Sequence, residues 1–268
     1  MKTNVKRYPL LAPVEHIIYS DLDETYYCHT HHPAKALHAF EDFLAKRQNV
    51  LFGLVTGSSI MSALQKLESG HHYMPHFIAS DLGTEIYWIN ESGILERDEQ
   101  WLKHIHDSTF NDRVAKFVEE TDVSLHSQTQ HSPSSYKRNY YYYMIDEEND
   151  RKNLASLSQL ATSNHLNLNM NRCNPLAGDP EHAYDIDFTP LGTGKKAVVH
   201  FINQMFSIEF EHTLAFGDSG NDLEMVKAVR HGYLLANATD EAKRRHENIT
   251  EHRYTKGMLG VLQDYFSD

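Results

Sequence analysis

The sequence predicts an α/β protein in which a doubly wound parallel core sheet is interrupted by an inserted α+β domain. Three observations carry this. Short β-branched apolar runs alternate with amphipathic helical segments early in the chain, the same alternation returns late, and between them the pattern changes to strictly alternating strands. A length of 268 residues suffices for one large domain or two modest ones.

The first apolar run, VEHIIYS from Val14 to Ser20, is short and stops at the acidic cluster Asp21, Asp23, Glu24. It reads as a buried strand ending in a polar loop. Leu37, Phe40, Phe43 and Leu44 then recur at helical spacing, and VLFGLV from Val50 to Val55 is a second buried run, which completes a β-α-β unit. Ser58 is the expected N-cap of the next helix, with Ile60, Leu64 and Leu67 on one face, and PHFIAS from Pro75 to Ser80 is the third strand. Late in the chain, Lys195 to Phe206 is helical with Val198, Val199, Ile202 and Met205 inward; TLAFGD is a strand ending at Asp218, and a helix and GYLLAN follow.

The middle reads differently. A helix near Phe110 to Val118, the run Tyr140 to Tyr143, and a helix through Leu154, Leu157 and Leu160 precede LNLNMN and YDIDF. Leu166, Leu168 and Met170, and then Tyr184, Ile186 and Phe188, describe strands with one buried face. The expected division is therefore a core of residues 1–85 and 189–268 around an α+β insert of residues 86–188.

Composition narrows the function. Lys plus Arg number 25 against 37 Asp plus Glu, a formal net charge of -12, and the densest basic run is Lys243, Arg244, Arg245, so phosphate-backbone binding to nucleic acid is not expected. No apolar run approaches the roughly 20 residues that span a bilayer, and the N-terminal stretch lacks a secretory signal's apolar core. Two cysteines, Cys28 and Cys173, fit a reducing compartment, and the expectation is a cytoplasmic protein with no membrane partner.

In an open parallel sheet, ligands bind at the carboxyl ends of the strands. Four stretches lie there: DLDET with Asp21, Asp23 and Thr25; VTGSS with Thr56, Gly57 and Ser58; GTGKK with Lys195; and GDSGND with Asp218, Asn221 and Asp222. Alone, each is an ordinary turn, cap or loop. Together, and in this order, they describe a site. Carboxylates converging on one sheet edge repel unless a hard cation with oxygen ligands neutralises them, and Mg²⁺ is the natural candidate. A hydroxyl with backbone N–H groups at a helix start, plus the single cation of Lys195, suits a phosphate. One carboxylate can then attack phosphorus, while a second, two residues on and pointing the same way, protonates the leaving alkoxide and later activates water.

These four stretches resemble the motifs of the haloacid dehalogenase (HAD) superfamily of phosphohydrolases along the whole chain. The insert and its exit DFTPLGTGKKAVV resemble the type 2 cap of the Cof and sucrose-phosphatase branch. The resemblance implies a Rossmann-like core, Asp21 as nucleophile and Asp23 as general acid/base. It also implies Thr56, Gly57, Lys195 and Asn221 around the phosphate, and Asp21, the Asp23 carbonyl and Asp218 on Mg²⁺, with Asp222 supporting the metal loop. Within the branch, VTGSSI, PHFIASDLGTEI, NRCNPLAGDPE and AFGDSGND are similar to bacillar enzymes acting on kanosamine 6-phosphate. This implies a Mg²⁺-dependent phosphatase for a small sugar phosphate, an amino-hexose 6-phosphate such as kanosamine 6-phosphate.

The polar loop between the last two insert strands offers Arg172, Asn174 and Asp179 for a sugar and an ammonium. Alternatives are a phosphomutase on the same core, a phosphatase of broader sugar-phosphate or sucrose-phosphate range, and a non-catalytic phosphometabolite-binding protein, which would be expected to lack the nucleophile or the acid. The sequence leaves the oligomeric state open. His31, His32, His71 and His72 read as solvated loop residues, the tyrosine run as packing within the insert, and Cys28 as a buried, inert thiol.

Overall fold

The computed structural model describes residues 1–3, 6–29, 34–70, 72–128, 134–173, 175 and 178–267. The strands are β1 (His16–Ser20), β2 (Val50–Val55), β3 (Phe77–Ser80), β4 (Glu85–Ile89), β5 (Leu95–Arg97), β6 (His126–Ser127), β7 (Arg138–Tyr143), β8 (Leu166–Arg172), β9 (Ala183–Pro190), β10 (Thr213–Gly217) and β11 (His231–Leu234). The α-helices are α1 (Ala34–Ala45), α2 (Ile60–Ser69), α3 (Glu99–His104), α4 (Phe110–Glu120), α5 (Glu147–Ser163), α6 (Lys195–Phe206), α7 (Leu223–Lys227), α8 (Asp240–Lys243) and α9 (Tyr254–Tyr265). Two compact units result, Met1–Trp101 with Lys195–Asp268, and Leu102–Gly194. Among the described residues no helix is long and apolar enough to cross a membrane.

The first unit is built on a seven-stranded sheet in the order β11-β10-β1-β2-β3-β4-β5. Strands β1, β2, β3, β10 and β11 run parallel, and every residue of β2 is buried, as a strand covered on both faces requires. The chain leaves β1 towards β2 and β3 on one side and returns to its other side through β10, which makes β1 the switch point of the sheet. Ser20 pairs with both Phe216 and Leu54, so the carboxyl ends of β1, β2 and β10 lie side by side. Ile18, Phe40, Phe52, Leu54 and Leu64 anchor the main core.

The insert begins at Leu102, not at residue 86, because β4 and β5 turn back antiparallel and extend the core sheet. Ile86 and Ile89 are buried there, and Trp101 is fully enclosed with its indole N–H donating to the Gly83 carbonyl. At the far end the second unit continues to Gly194, past residue 188, since Thr189 and Pro190 still pair with Asn167 and Leu166.

The second unit is a four-stranded antiparallel sheet in the order β6-β7-β9-β8. Tyr142, Ile186, Phe188 and Leu166 share one buried cluster with Phe110 and Val114 of α4 and Leu157 of α5. The tyrosine run packs within the unit: Tyr142 is buried in that cluster with Tyr140 against it, Tyr141 is buried with Cys173 and Ala183, and Tyr143 is exposed. Met205, expected inward, is 40% exposed, and Leu160 of α5 is 38% exposed. The buried stripe of α5 runs through Leu157 and Ala161, and that of α6 stops at Ile202. His72 is not a solvated loop residue: it is fully buried, its ring 4.9 Å from that of Tyr26 and its Nδ1 3.7 Å from Glu41. His31, His32 and His71 lie outside the described residues.

Candidate active site

Asp21 is the first residue beyond β1 and its backbone N–H still donates to the Phe216 carbonyl, which fixes it between β1 and β10. Lys195, at the start of α6, donates to Asp21 Oδ1 at 2.6 Å and to Asp222 Oδ1 at 2.6 Å. All three side chains are buried. The other oxygen of Asp222 accepts the backbone N–H groups of Asp218 and Ser219 at 2.9 and 3.0 Å, and the Ser219 hydroxyl. That turn needs glycine at 217: a Cβ there would stand 2.3 Å from Asp222 Cβ. The carboxamide of Asn221 accepts from the Ser219 hydroxyl in the same turn.

Asp218 completes the cluster. Asp21, Asp218 and Asp222 each bring a carboxylate oxygen within 4.8 Å of the others, and Thr25 donates its hydroxyl to Asp218 Oδ1. Burial, opposed by Lys195 but joined by the Asp222 and Asp23 carboxylates, pushes Asp21 up to about 7. Burial followed by Asp222 and Asp21 holds Asp218 well above the usual carboxylate range. Burial disfavours the Lys195 cation, but Asp21 and Asp222 more than offset it and raise its pKa. One buried cation therefore does not neutralise three carboxylates, and a hard divalent ion fits this donor set. Among the described residues Oδ2 of Asp21 and Oδ2 of Asp218 accept no hydrogen bond, whereas both oxygens of Asp222 are engaged. Asp222, expected among the metal residues, belongs to this carboxylate group and also holds Lys195 and the loop.

The side chain of Asp23 turns elsewhere. Its Oδ2 accepts the Ser58 hydroxyl at 2.8 Å, its Oδ1 accepts the Lys66 ammonium at 2.6 Å, and His29 Nε2 lies 3.2 Å from the same Oδ1. Ser58 is therefore not the cap of α2; Ser59 is, accepting from the Ser62 N–H. Thr56 is buried, and its hydroxyl oxygen accepts the Ser58 N–H at 3.0 Å, leaving its own proton to donate. The loop is clamped from β3's end, where Asp81 and Leu82 give their N–H groups to the Ser58 and Thr56 carbonyls. Asp81, Leu82 and Gly83 all have positive φ, at 50°, 58° and 75°, so this clamp is a strained left-handed turn.

In the second unit, Arg172 is exposed and Asp179 accepts the Tyr141 hydroxyl at 3.3 Å; Asn174 lies outside the described residues. The sheet face opposite the apolar cluster carries Asp185 and Asp187 of β9, facing Tyr141 and Asn139 of β7 and Asn171 and Asn169 of β8. Gln128 donates to Asp185 at 2.8 Å, and burial, then Asp187 and Asp179, pushes Asp185 up to about 6. Sequence reasoning missed this face, along with Lys66 and His29; the alternation of YDIDF was its one visible signal.

The sequence profile of the sucrose-6F-phosphate phosphohydrolase family matches residues 14–265. The chain belongs to that family. It is 44% identical to the kanosamine-6-phosphate phosphatase of Bacillus subtilis, over 96% of this chain and 95% of that one. A haloacid dehalogenase-like hydrolase of Bacillus subtilis superposes with TM-score 0.75 at 41% identity, covering 98% of this chain and 96% of the other. The sucrose-phosphatase of Synechocystis, in complex with sucrose and phosphate, shares the fold at TM-score 0.75 and 19% identity, covering 94% and 98%. The family is one of HAD-type phosphatases, and the parallel core, its inserted α+β unit and the strand-end cluster are its architecture in this chain.

Proposed function

We propose that the chain is a Mg²⁺-dependent phosphatase that hydrolyses an amino-hexose 6-phosphate, kanosamine 6-phosphate being the leading candidate, through an aspartyl-phosphate on Asp21. The observation that carries this reading is the buried Lys195 shared between Asp21 and Asp222 at 2.6 Å each, with Asp218 beside them. Asp21 and Asp218, with the Asp23 carbonyl, would hold the metal. Bound there, Mg²⁺ supplies positive charge to the phosphoryl oxygens and lets Asp21 approach phosphorus as an anion. Lys195 and the Thr56 hydroxyl bind the remaining phosphate oxygens, with Gly57 contributing backbone and Asn221 supporting the last loop.

Asp21 forms the O–P bond as the bond from phosphorus to the sugar oxygen breaks, and Asp23 gives the departing alkoxide its proton. Asp23 then takes a proton from water as that water attacks phosphorus, which frees Asp21 and inorganic phosphate. Sugar selection is assigned to the second unit. Arg172, Asn174 and Asp179 remain candidates there, and the Asp185 and Asp187 face matches an ammonium with its carboxylates and sugar hydroxyls with its carboxamides. The substrate printed in the 44% identical relative's name is likewise an amino sugar phosphate.

The test is phosphate release from kanosamine 6-phosphate, glucosamine 6-phosphate, glucose 6-phosphate and sucrose 6-phosphate, with Mg²⁺ and with the metal chelated. Metal-dependent preference for an amino sugar supports the reading. Turnover that survives chelation or Asp21→Asn removes it, and release of phosphate only with a bisphosphate activator would indicate a mutase.

A further inference from the structure

Asp23 is held by a residue that none of the four sequence stretches contains. Lys66 belongs to α2, the helix that follows directly on Thr56, Gly57 and Ser58. Its ammonium donates to Asp23 Oδ1 at 2.6 Å and to the Ser58 hydroxyl oxygen at 3.1 Å, while that hydroxyl donates to Asp23 Oδ2 at 2.8 Å. The three groups close a ring, and His29 Nε2 lies 3.2 Å from the same Oδ1.

We propose that Lys66 is a positioning residue for the general acid. It pins Oδ1 of Asp23, and so aims Oδ2 as the oxygen that exchanges a proton with the leaving group. The proposal rests on the reading of Asp23 as that acid. Two features of the geometry support it. The Asp23 side chain is 29% exposed, so burial alone does not fix its direction. Lys66, at 20% exposure, gives up side-chain freedom to reach two acceptors at once. A carboxyl group is planar, so holding one oxygen from Lys66 sets where the other points. The partner left on Oδ2 among the described residues is the Ser58 hydroxyl, which donates or accepts as required and can yield to a sugar oxygen. The same short segment thus links the phosphate loop to the acid.

Orientation of the acid matters only where the leaving group needs a proton. Phosphorylation of the enzyme is therefore followed by rapid-quench single turnover with two probes. One is the best sugar phosphate of the panel above, whose alkoxide is strongly basic. The other is p-nitrophenyl phosphate, whose phenolate leaves unprotonated. Asp23→Ala is the reference and slows the sugar reaction selectively. Lys66→Met is expected to slow phosphoenzyme formation from the sugar phosphate by about tenfold to a hundredfold. From p-nitrophenyl phosphate it changes the rate by less than about threefold, and Lys66→Arg restores most of the loss.

Equal losses on both probes, or no loss on the sugar phosphate while Asp23→Ala remains selective, overturn the role of Lys66 alone. An unselective Asp23→Ala overturns the reading of Asp23 and the proposal with it. Melting temperatures of Lys66→Met and Lys66→Arg within a few degrees of wild type tie the rates to the site; a Lys66→Met that unfolds while Lys66→Arg stays folded and unselective also counts against the proposal.

Discussion

The ammonium of Lys195 sits 2.6 Å from Oδ1 of Asp222, and Asp222 is the most enclosed carboxylate of the site. Its second oxygen is bound to the backbone of the loop that carries Asp218, so one side chain couples the loop to that buried cation. The close approach of Asp222 to residue 217 makes this coupling testable without touching any charged group.

Gly217→Ala places a Cβ 2.3 Å from Asp222 Cβ and must displace that side chain. The expected outcome is a loss of about 1–3 kcal/mol in stability, as overpacking of a tight core costs. Turnover should fall by more than tenfold, because Lys195 loses its second anchor. Denaturant unfolding and initial rates check it; an alanine variant with native stability and rate contradicts the description of this turn.

His76 is buried and neutral, with its Nδ1 accepting the Phe52 N–H at 2.9 Å and its Nε2 3.4 Å from the Pro9 carbonyl. Burial first, and the Arg7 cation second, hold its pKa down at about 4 against an ordinary 6.5. The unfolded chain therefore takes up a proton at a pH where the folded chain does not. The stability this ring contributes is full above 6.5 and is lost as the pH falls towards 4. Over the whole window the loss is on the order of 3 kcal/mol. Urea midpoints measured through that range should fall less steeply for His76→Gln than for wild type, and parallel slopes would show that His76 is not the group responsible.

Asp185 faces Tyr141 and Asn171 across the polar side of the second unit's sheet. Asp185→Asn is expected to lower kcat/KM for an amino-hexose 6-phosphate by about tenfold while leaving glucose 6-phosphate within about twofold, since only the charged partner of the amine is lost. Equal effects on both sugars would assign this carboxylate to the fold of the unit alone.

What the sequence revealed was set by strand ends. Asp21, Thr56 and Asp218 are each the first residue beyond an apolar run, and neighbouring parallel strands bring such positions together whatever lies between them in the chain. Lys195 was visible because it opens a helix with no other obvious use for a buried cation. The residues that hold Asp23 were not visible, because Lys66 on an amphipathic helix looks like any solvated lysine until its acceptor is placed. Ser58 and Ser59 are equally good caps as sequence, and only the carboxylate across the loop decides which one caps α2. The hairpin of β4 and β5 falls inside the expected insert because nothing in its sequence shows which sheet its strands join. His72 is polar by type and buried through contacts with Tyr26 and Glu41 from α1 and the loop before it.

In the proposed reaction Asp21 carries the phosphoryl group. Rapid quench of the Mg²⁺-loaded enzyme during turnover of kanosamine 6-phosphate, followed by peptide mass spectrometry, tests it directly. One phosphoryl group is expected on the peptide containing Asp21, lost when the metal is chelated and absent from Asp21→Asn, which also lacks turnover. Steady phosphate release with that peptide never phosphorylated, or full turnover by Asp21→Asn, would contradict it.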